Sequence, residues 1–371
     1  MNRMLHTPEG VRDIYAKECR RMSSVENAMK SVIELYGYEP IRTPGFEYFD
    51  VFSREVGSTS SKELYKFFDK DNNTLVLRPD FTPSVARAAS KTEALEIGNP
   101  IRLYYNGNIY INHTSHQGRM MESRQFGAEY MGESSADADA ELIAAVVECL
   151  KSTGLSDFLV SVTHADIFLG LVEAAGLSDD ESDEVRELIL NKNFFGLEEV
   201  LREKKLPEDL MSLFKILDRM GDIPDESDFP AIRQYPRIKE ALDHLRELDS
   251  LLELYGVTDH VSFEPGLLSS YRYYTGIVFN GYTYGSGQPL VKGGRYDRLL
   301  SYFGKDAPAI GFAISVDALL AALEQQGLSP KDEPAIKELE YNEDNRNEVL
   351  ENAKKLRSYG TPVVLRRARY E

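Results

Sequence analysis

Apolar positions along the chain change period several times, and the changes mark its elements. Near the start they recur at helical spacing, with Met22, Val25, Met29, Val32, Ile33 and Tyr36 on one face, Asp13 placed to cap the helix and Gly37 to stop it. Residues 38–44 then read as a strand ending at a proline, which suits an edge or a strand end. Residues 75–79 form another strand. Residues 101–105 and 107–112 make the outgoing arm of a hairpin, 122–131 its return, and 113–119 the polar loop between. Ser135 or Asp137 caps a helix burying Leu142, Ile143, Val146, Val147 and Leu150, with Gly154 closing it, and 158–163 is again a strand.

From about 166 to 257 the pattern is amphipathic helix throughout, rich in Glu, Lys and Leu, with no strand signal. Residues 261–263 return to strand. Aromatic and β-branched residues at Tyr273, Tyr274, Ile277, Val278 and Phe279, then Tyr282 and Tyr284, predict a strand; Gly285-Ser286-Gly287 is a turn and 288–291 its return. Gly293-Gly294 allows a tight turn or a close approach to a ligand. A short helix is predicted from Arg295, a strand over 310–314, and a helix from Val316 with Ala318, Leu319, Leu320 and Leu323 as its apolar stripe. Strand hairpins with flanking helices predict an α+β fold built on an antiparallel sheet, with a helical insertion. We place a core at 1–325 and a linker plus a short C-terminal α/β remnant at 326–371, with a charged helix to about Tyr359 and a strand over 362–365.

Composition narrows the function classes. The 371 residues exceed the usual single-domain size. Asp and Glu number 61 against 43 Lys and Arg, a net charge of −18, which speaks against a nucleic-acid grip without excluding a local basic patch. Cys19 and Cys149 lack metal spacing and read as reduced, buried thiols, which fits a cytoplasmic setting. No apolar run approaches a membrane span and the N-terminus has no signal-peptide core. His113 and His116 are three apart in a loop with no third ligand in view, so no metal is expected; nor is a cofactor.

Three segments in one order and spacing carry a resemblance. Tyr273-Tyr274-Thr275-Gly276, Gly293-Gly294-Arg295-Tyr296-Asp297 and Gly311-Phe312-Ala313 resemble the histidine-specific half of a histidyl-tRNA synthetase catalytic core. The helix, strand and proline before Gly45 resemble the class II signature that builds the synthetase dimer; taken alone they are equally an ordinary helix–strand unit. The helical insertion also lies where synthetases of this family carry one.

Adenylate formation builds charge on phosphate oxygens, which fixed arginines must neutralise. By the resemblance, four such cationic positions fall here on Ile111, Met121, Ser269 and Ala318. Each lost donor costs ~2.7–4 kcal/mol in barrier, so no adenylate chemistry is expected and no residue is assigned a catalytic role.

The amino-acid pocket segments are retained. Leu77-Arg78-Pro79-Asp80-Phe81-Thr82 and Gln125-Phe126-Gly127-Ala128-Glu129 both match the family pattern. In a strand Gln125, Gly127 and Glu129 share one face. The resemblance implies that Asp80, Thr82 and Gln125 receive an amino group, that Glu129 accepts from an imidazole N–H, and that Tyr274, backed by Tyr273, meets the other ring nitrogen. Read singly, these residues have plainer roles: Asp80 as a helix cap, Gln125 and Glu129 as a polar sheet face, and one of the two tyrosines as core.

Retained ligand groups beside lost arginines resemble the regulatory subunits of ATP phosphoribosyltransferase in histidine biosynthesis. That resemblance implies a non-catalytic chain that dimerises through its class II core, assembles with a short catalytic subunit, enables its activity and takes part in feedback inhibition by histidine. The alternative is a truncated histidyl-tRNA synthetase or a paralogue transferring histidine elsewhere. A pocket for another amino acid is a third.

Overall fold

A computed structural model of the chain describes residues 5–53, 59–96, 98–113, 120–268, 273–328 and 336–368. The strands in chain order are β1 (Glu39–Pro40), β2 (Phe46–Tyr48), β3 (Lys66–Phe68), β4 (Thr74–Leu77), β5 (Ile101–Tyr110), β6 (Glu122–Met131), β7 (Phe158–His164), β8 (Val261–Phe263), β9 (Ile277–Thr283), β10 (Val291–Arg295), β11 (Ala309–Ser315), β12 (Lys337–Tyr341) and β13 (Val363–Arg367). Eight of them form one sheet in the order β1-β5-β6-β11-β10-β9-β7-β8. Its interior is antiparallel, while the edge strands β1 and β8 pair in parallel with β5 and β7. A small sheet, β2-β4-β3, carries the segment that leads to Asp80.

The hairpin β5–β6 is the longest pairing, with Leu103 opposite Glu129, Tyr105 opposite Gly127 and Gly107 opposite Gln125. Its return arm covers the predicted residues, and the outgoing arm runs unbroken through Asn106. On the far side of β6, Gly311, Ala313 and Ser315 of β11 face the same three residues. On the β11 side, small side chains thus flank the polar face of β6 at these three positions.

Helix Ala136–Ser152 lies behind the sheet, between helices Ala16–Leu35 and Pro236–Tyr255. Ser135 caps it by accepting from the Ala138 amide. Helix Ala16–Leu35 instead starts after Tyr15 with no side-chain cap, so the expected Asp13 cap does not form. The helical stretch predicted as an insertion is packed into the main core: Ile238, Leu242, Leu245 and Leu248 join one buried cluster with Phe126, Val146 and Phe279.

Two predicted elements move. Gly293-Gly294 lies inside β10, not in a turn, and the helix expected from Arg295 begins only at Leu300. The reason is steric: a Cβ on Gly293 would fall 2.2 Å from the Phe279 ring, so these glycines admit neighbouring rings against a continuous strand.

The chain divides into two compact units, Met1–Ser329 and Pro330–Glu371. In the second, β12 and β13 pair in parallel around helix Arg346–Ser358, and Ala353 is the buried residue of that helix. The strand β12 was not predicted, because Lys-Glu-Leu-Glu-Tyr presents charge where a strand signal needs apolar alternation.

Candidate functional site

The face of β6 that carries Gln125, Gly127 and Glu129 opens on the segment Arg78–Thr82. Arg78 fixes that segment. Its guanidinium donates to the carbonyls of Thr43, Pro44 and Asn108 at 2.8–3.1 Å and stacks on Phe81 at 3.6 Å. Phe81 in turn stacks on Tyr105 at 4.3 Å, and Gly107 has no side chain because a Cβ there would meet the Phe81 ring at 2.8 Å. Arg78 is therefore a structural staple, and burial pulls its pKa down.

Glu129 is 1% exposed and gathers three hydroxyls. Its Oε1 accepts from Thr82 Oγ1 at 2.7 Å and Tyr105 OH at 3.2 Å, and its Oε2 accepts from Tyr296 OH. Burial pushes its pKa up to about 8 despite those donors. A carboxylate offers about four lone-pair sites, so three donors leave one direction for a further N–H. Gly127 makes room for the arrangement, since a Cβ there would lie 2.4 Å from Tyr105 OH.

The other predicted residues converge on the same place. Asp80 Oδ1 accepts from the Thr82 amide at 3.3 Å, but the cap position of helix Thr82–Ala89 is Phe81, so Asp80 is not the helix cap that a plain reading suggests. Thr82 spends its proton on Glu129, which leaves its lone pairs as acceptors. Gln125 Oε1 is buried with no hydrogen-bond partner among the described residues, an acceptor whose desolvation is uncompensated. Tyr273 and Tyr274 lie in the turn before β9, not alternating within a strand; their rings are 4.8 Å apart and both pack on the cluster containing Phe81, Tyr105 and Tyr296. Tyr274 lies over Gly294, where a Cβ would meet its ring at 2.7 Å. A buried carboxylate, a carboxylate–hydroxyl pair, an unmatched amide oxygen and aromatic walls suit a small ligand with an ammonium and a ring N–H donor.

Tyr105 and Tyr296 were not predicted as site residues. Tyr105 was signalled by its position across from Gly127. Tyr296 was hidden by reading a helix from Arg295; extending the strand would have put it two residues from Gly294, on the same face.

Of the positions the resemblance gives to cations, Ile111 packs on the Phe81 cluster and Ala318 sits in the first turn of helix Val316–Gln325, partly buried. The Met121 amide donates to Gly10 O at 2.7 Å. Ser269 and His116 lie outside the described residues. Of the two cysteines expected to be buried, Cys149 is and Cys19 is exposed. Among the described residues no group of three or more His, Cys, Asp or Glu could hold a metal, and no helix is long and apolar enough to cross a membrane.

A family model described as Histidyl-tRNA synthetase matches residues 10–319. An ATP phosphoribosyltransferase regulatory subunit of Acetivibrio thermocellus is 36% identical over 363 residues, 97% of this chain and 86% of that protein. One from Caldanaerobacter subterraneus is 34% identical, covering 98% and 94%. The crystal structure of an ATP phosphoribosyltransferase regulatory subunit/histidyl-tRNA synthetase from Bacillus halodurans C aligns with a TM-score of 0.85 at 32% identity, over 98% of this chain and 93% of that one. Histidyl-tRNA synthetase from Nostoc sp. PCC 7120 shares the fold, with a TM-score of 0.81 at 19% identity over 99% and 87%.

Proposed function

The chain belongs to the histidyl-tRNA synthetase family, among its ATP phosphoribosyltransferase regulatory subunits, and from that membership we propose that it is a histidine-sensing, non-catalytic subunit. It assembles with a short catalytic subunit, enables phosphoribosyl transfer to ATP and carries feedback inhibition by histidine. It dimerises through the class II core and works in the cytoplasm. Histidine sits with its amino group toward Asp80, Thr82 and Gln125, its imidazole between Glu129 and Tyr274, and Tyr273 behind.

The observation that carries this reading is Glu129, a fully buried carboxyl held by three hydroxyls beside the unmatched oxygen of Gln125. Ile111, Met121 and Ala318 supply no guanidinium for a nucleotide at the positions where the family uses one.

ATP–pyrophosphate exchange in the presence of histidine tests the non-catalytic half of the proposal. No exchange is expected above the protein-free rate. Histidine-dependent exchange by the purified chain would establish the synthetase reading instead. The partner is tested by co-expression with a short phosphoribosyltransferase: co-elution supports the proposal, and separate elution at micromolar concentrations contradicts it.

A further inference from the structure

The strand β10 presents its residues alternately to the two sides of the sheet. Gly294 lies under the Tyr274 ring, and Tyr296, just past the strand end, donates to Glu129. Arg295 lies between them and points the other way, into the helical layer. There Asp139 Oδ1, at 0% exposure, accepts from Arg295 Nε at 3.0 Å and Nη2 at 2.5 Å. Arg295 Nη1 reaches the Glu133 carbonyl at 3.0 Å and Asp297 Oδ1 at 3.2 Å. The second oxygen of Asp139 is 2.9 Å from Nε2 of His244, on helix Pro236–Tyr255. Since a carboxylate only accepts, that nitrogen carries the proton.

Arg295 also holds the turn that carries the paired tyrosines. Its carbonyl accepts from the Thr275 amide at 2.8 Å, and its methylenes press on Gly276, where a Cβ would lie 2.9 Å from Arg295 Cδ. The same turn is tied to the helical stretch a second time, because the Ala165 amide donates to Gly276 O at 2.9 Å. His164, preceding Ala165, packs edge-on to His244 with ring centroids 5.5 Å apart.

We infer that His244, acting through Asp139 and Arg295, is a positioning residue for the pocket: helix Pro236–Tyr255 sets where the Tyr273–Gly276 turn and Tyr296 stand without touching ligand. The physical reason is that losing the His244 donor leaves Oδ2 of the buried Asp139 carboxylate unpaired, a cost that repacking around Arg295 would relieve. Arg295, gripped by that carboxylate, cannot shift without moving Thr275 on one side and Tyr296 on the other. Linkage makes the coupling reciprocal, so a partner that displaces the helix changes ligand affinity by the factor with which ligand changes partner affinity.

The inference rests on the histidine-pocket reading, and the test separates the two. His244 is a quarter exposed on its side chain, so His244→Ala is expected to fold. Histidine affinity, by calorimetry, is expected to fall about five- to tenfold. His244→Gln, whose amide nitrogen can replace Nε2 as the donor to Asp139, is expected to restore it. Hydrogen exchange gives a ligand-free readout: peptides covering residues 273–276 lose protection in His244→Ala and regain it in His244→Gln. Unchanged exchange there in the folded alanine variant overturns the inference, as does an affinity loss that glutamine does not rescue. If the unaltered chain binds no histidine, the pocket reading falls and the exchange result alone decides the positioning role.

Discussion

Gly311 stands directly across the β6–β11 pairing from Glu129, and a Cβ on it would fall 1.7 Å from Glu129 Oε2. The glycine of the Gly-Phe-Ala segment is the space in which the buried carboxyl sits. Gly311→Ala must therefore expel that carboxyl or shift the strand, and overpacking of this kind costs about 1–3 kcal/mol. We expect a matching drop in denaturant midpoint together with loss of histidine binding. Calorimetry showing unaltered affinity would mean that Glu129 is not a ligand group.

The carboxyl of Glu129 is raised by burial from its ordinary 4.5 to about 8. The folded chain thus holds a proton that the unfolded chain has released between those values. Its contribution to stability is full below about pH 4.5, declines as pH rises to about 8, and is level above that. Thermal unfolding from pH 5.5 to 8.5 should show this decline, and Glu129→Gln should flatten it while keeping the fold and weakening histidine binding. An N–H bond to the ionised form favours ionisation, so histidine binding near pH 7 should release a proton from the unaltered chain and none from the variant. Calorimetry in buffers of different ionisation enthalpy measures both.

Gln125 separates ligand binding from stability. Its side-chain oxygen is buried without a partner among the described residues, so Gln125→Leu removes a desolvated acceptor and loses no bond to it. Stability is expected to stay within about 1 kcal/mol of the unaltered chain, while histidine affinity falls at least tenfold. A large loss of stability with binding retained would assign this side chain to the fold.

Tyr296→Phe removes the hydroxyl on Glu129 Oε2 but keeps the buried ring. Histidine binding ionises Glu129, and a lost hydrogen bond to a charged group is worth about 1.5–3 kcal/mol. The variant should bind histidine roughly tenfold or more weakly, measured by the same titration. Equal affinity would place Tyr296 outside the ligand machinery.

Much of this was legible along the chain, and the limits have physical causes. The return strand Glu122–Met131 and the helix begun at Ser135 were readable because period and cap agree locally. The strand carrying Gly293-Gly294 was not, because glycines that admit the Phe279 and Tyr274 rings look in sequence like a turn. Gln125 and Glu129 were recognisable as sharing one strand face, but Tyr105 and Tyr296 came to Glu129 only through the tertiary fold. The bond between Asp139 and His244 joins residues 105 apart, and no local pattern announces it.

Reconstitution with a short catalytic subunit decides whether this chain is a histidine-sensing regulator with no adenylate chemistry of its own. Phosphoribosyl transfer by a short catalytic subunit is measured alone, with this chain, and with this chain plus histidine. Activity is expected to rise severalfold with the chain and to fall again as histidine is added, and Glu129→Gln is expected to blunt only the fall. Transfer that is indifferent to the chain at every histidine concentration would contradict that role.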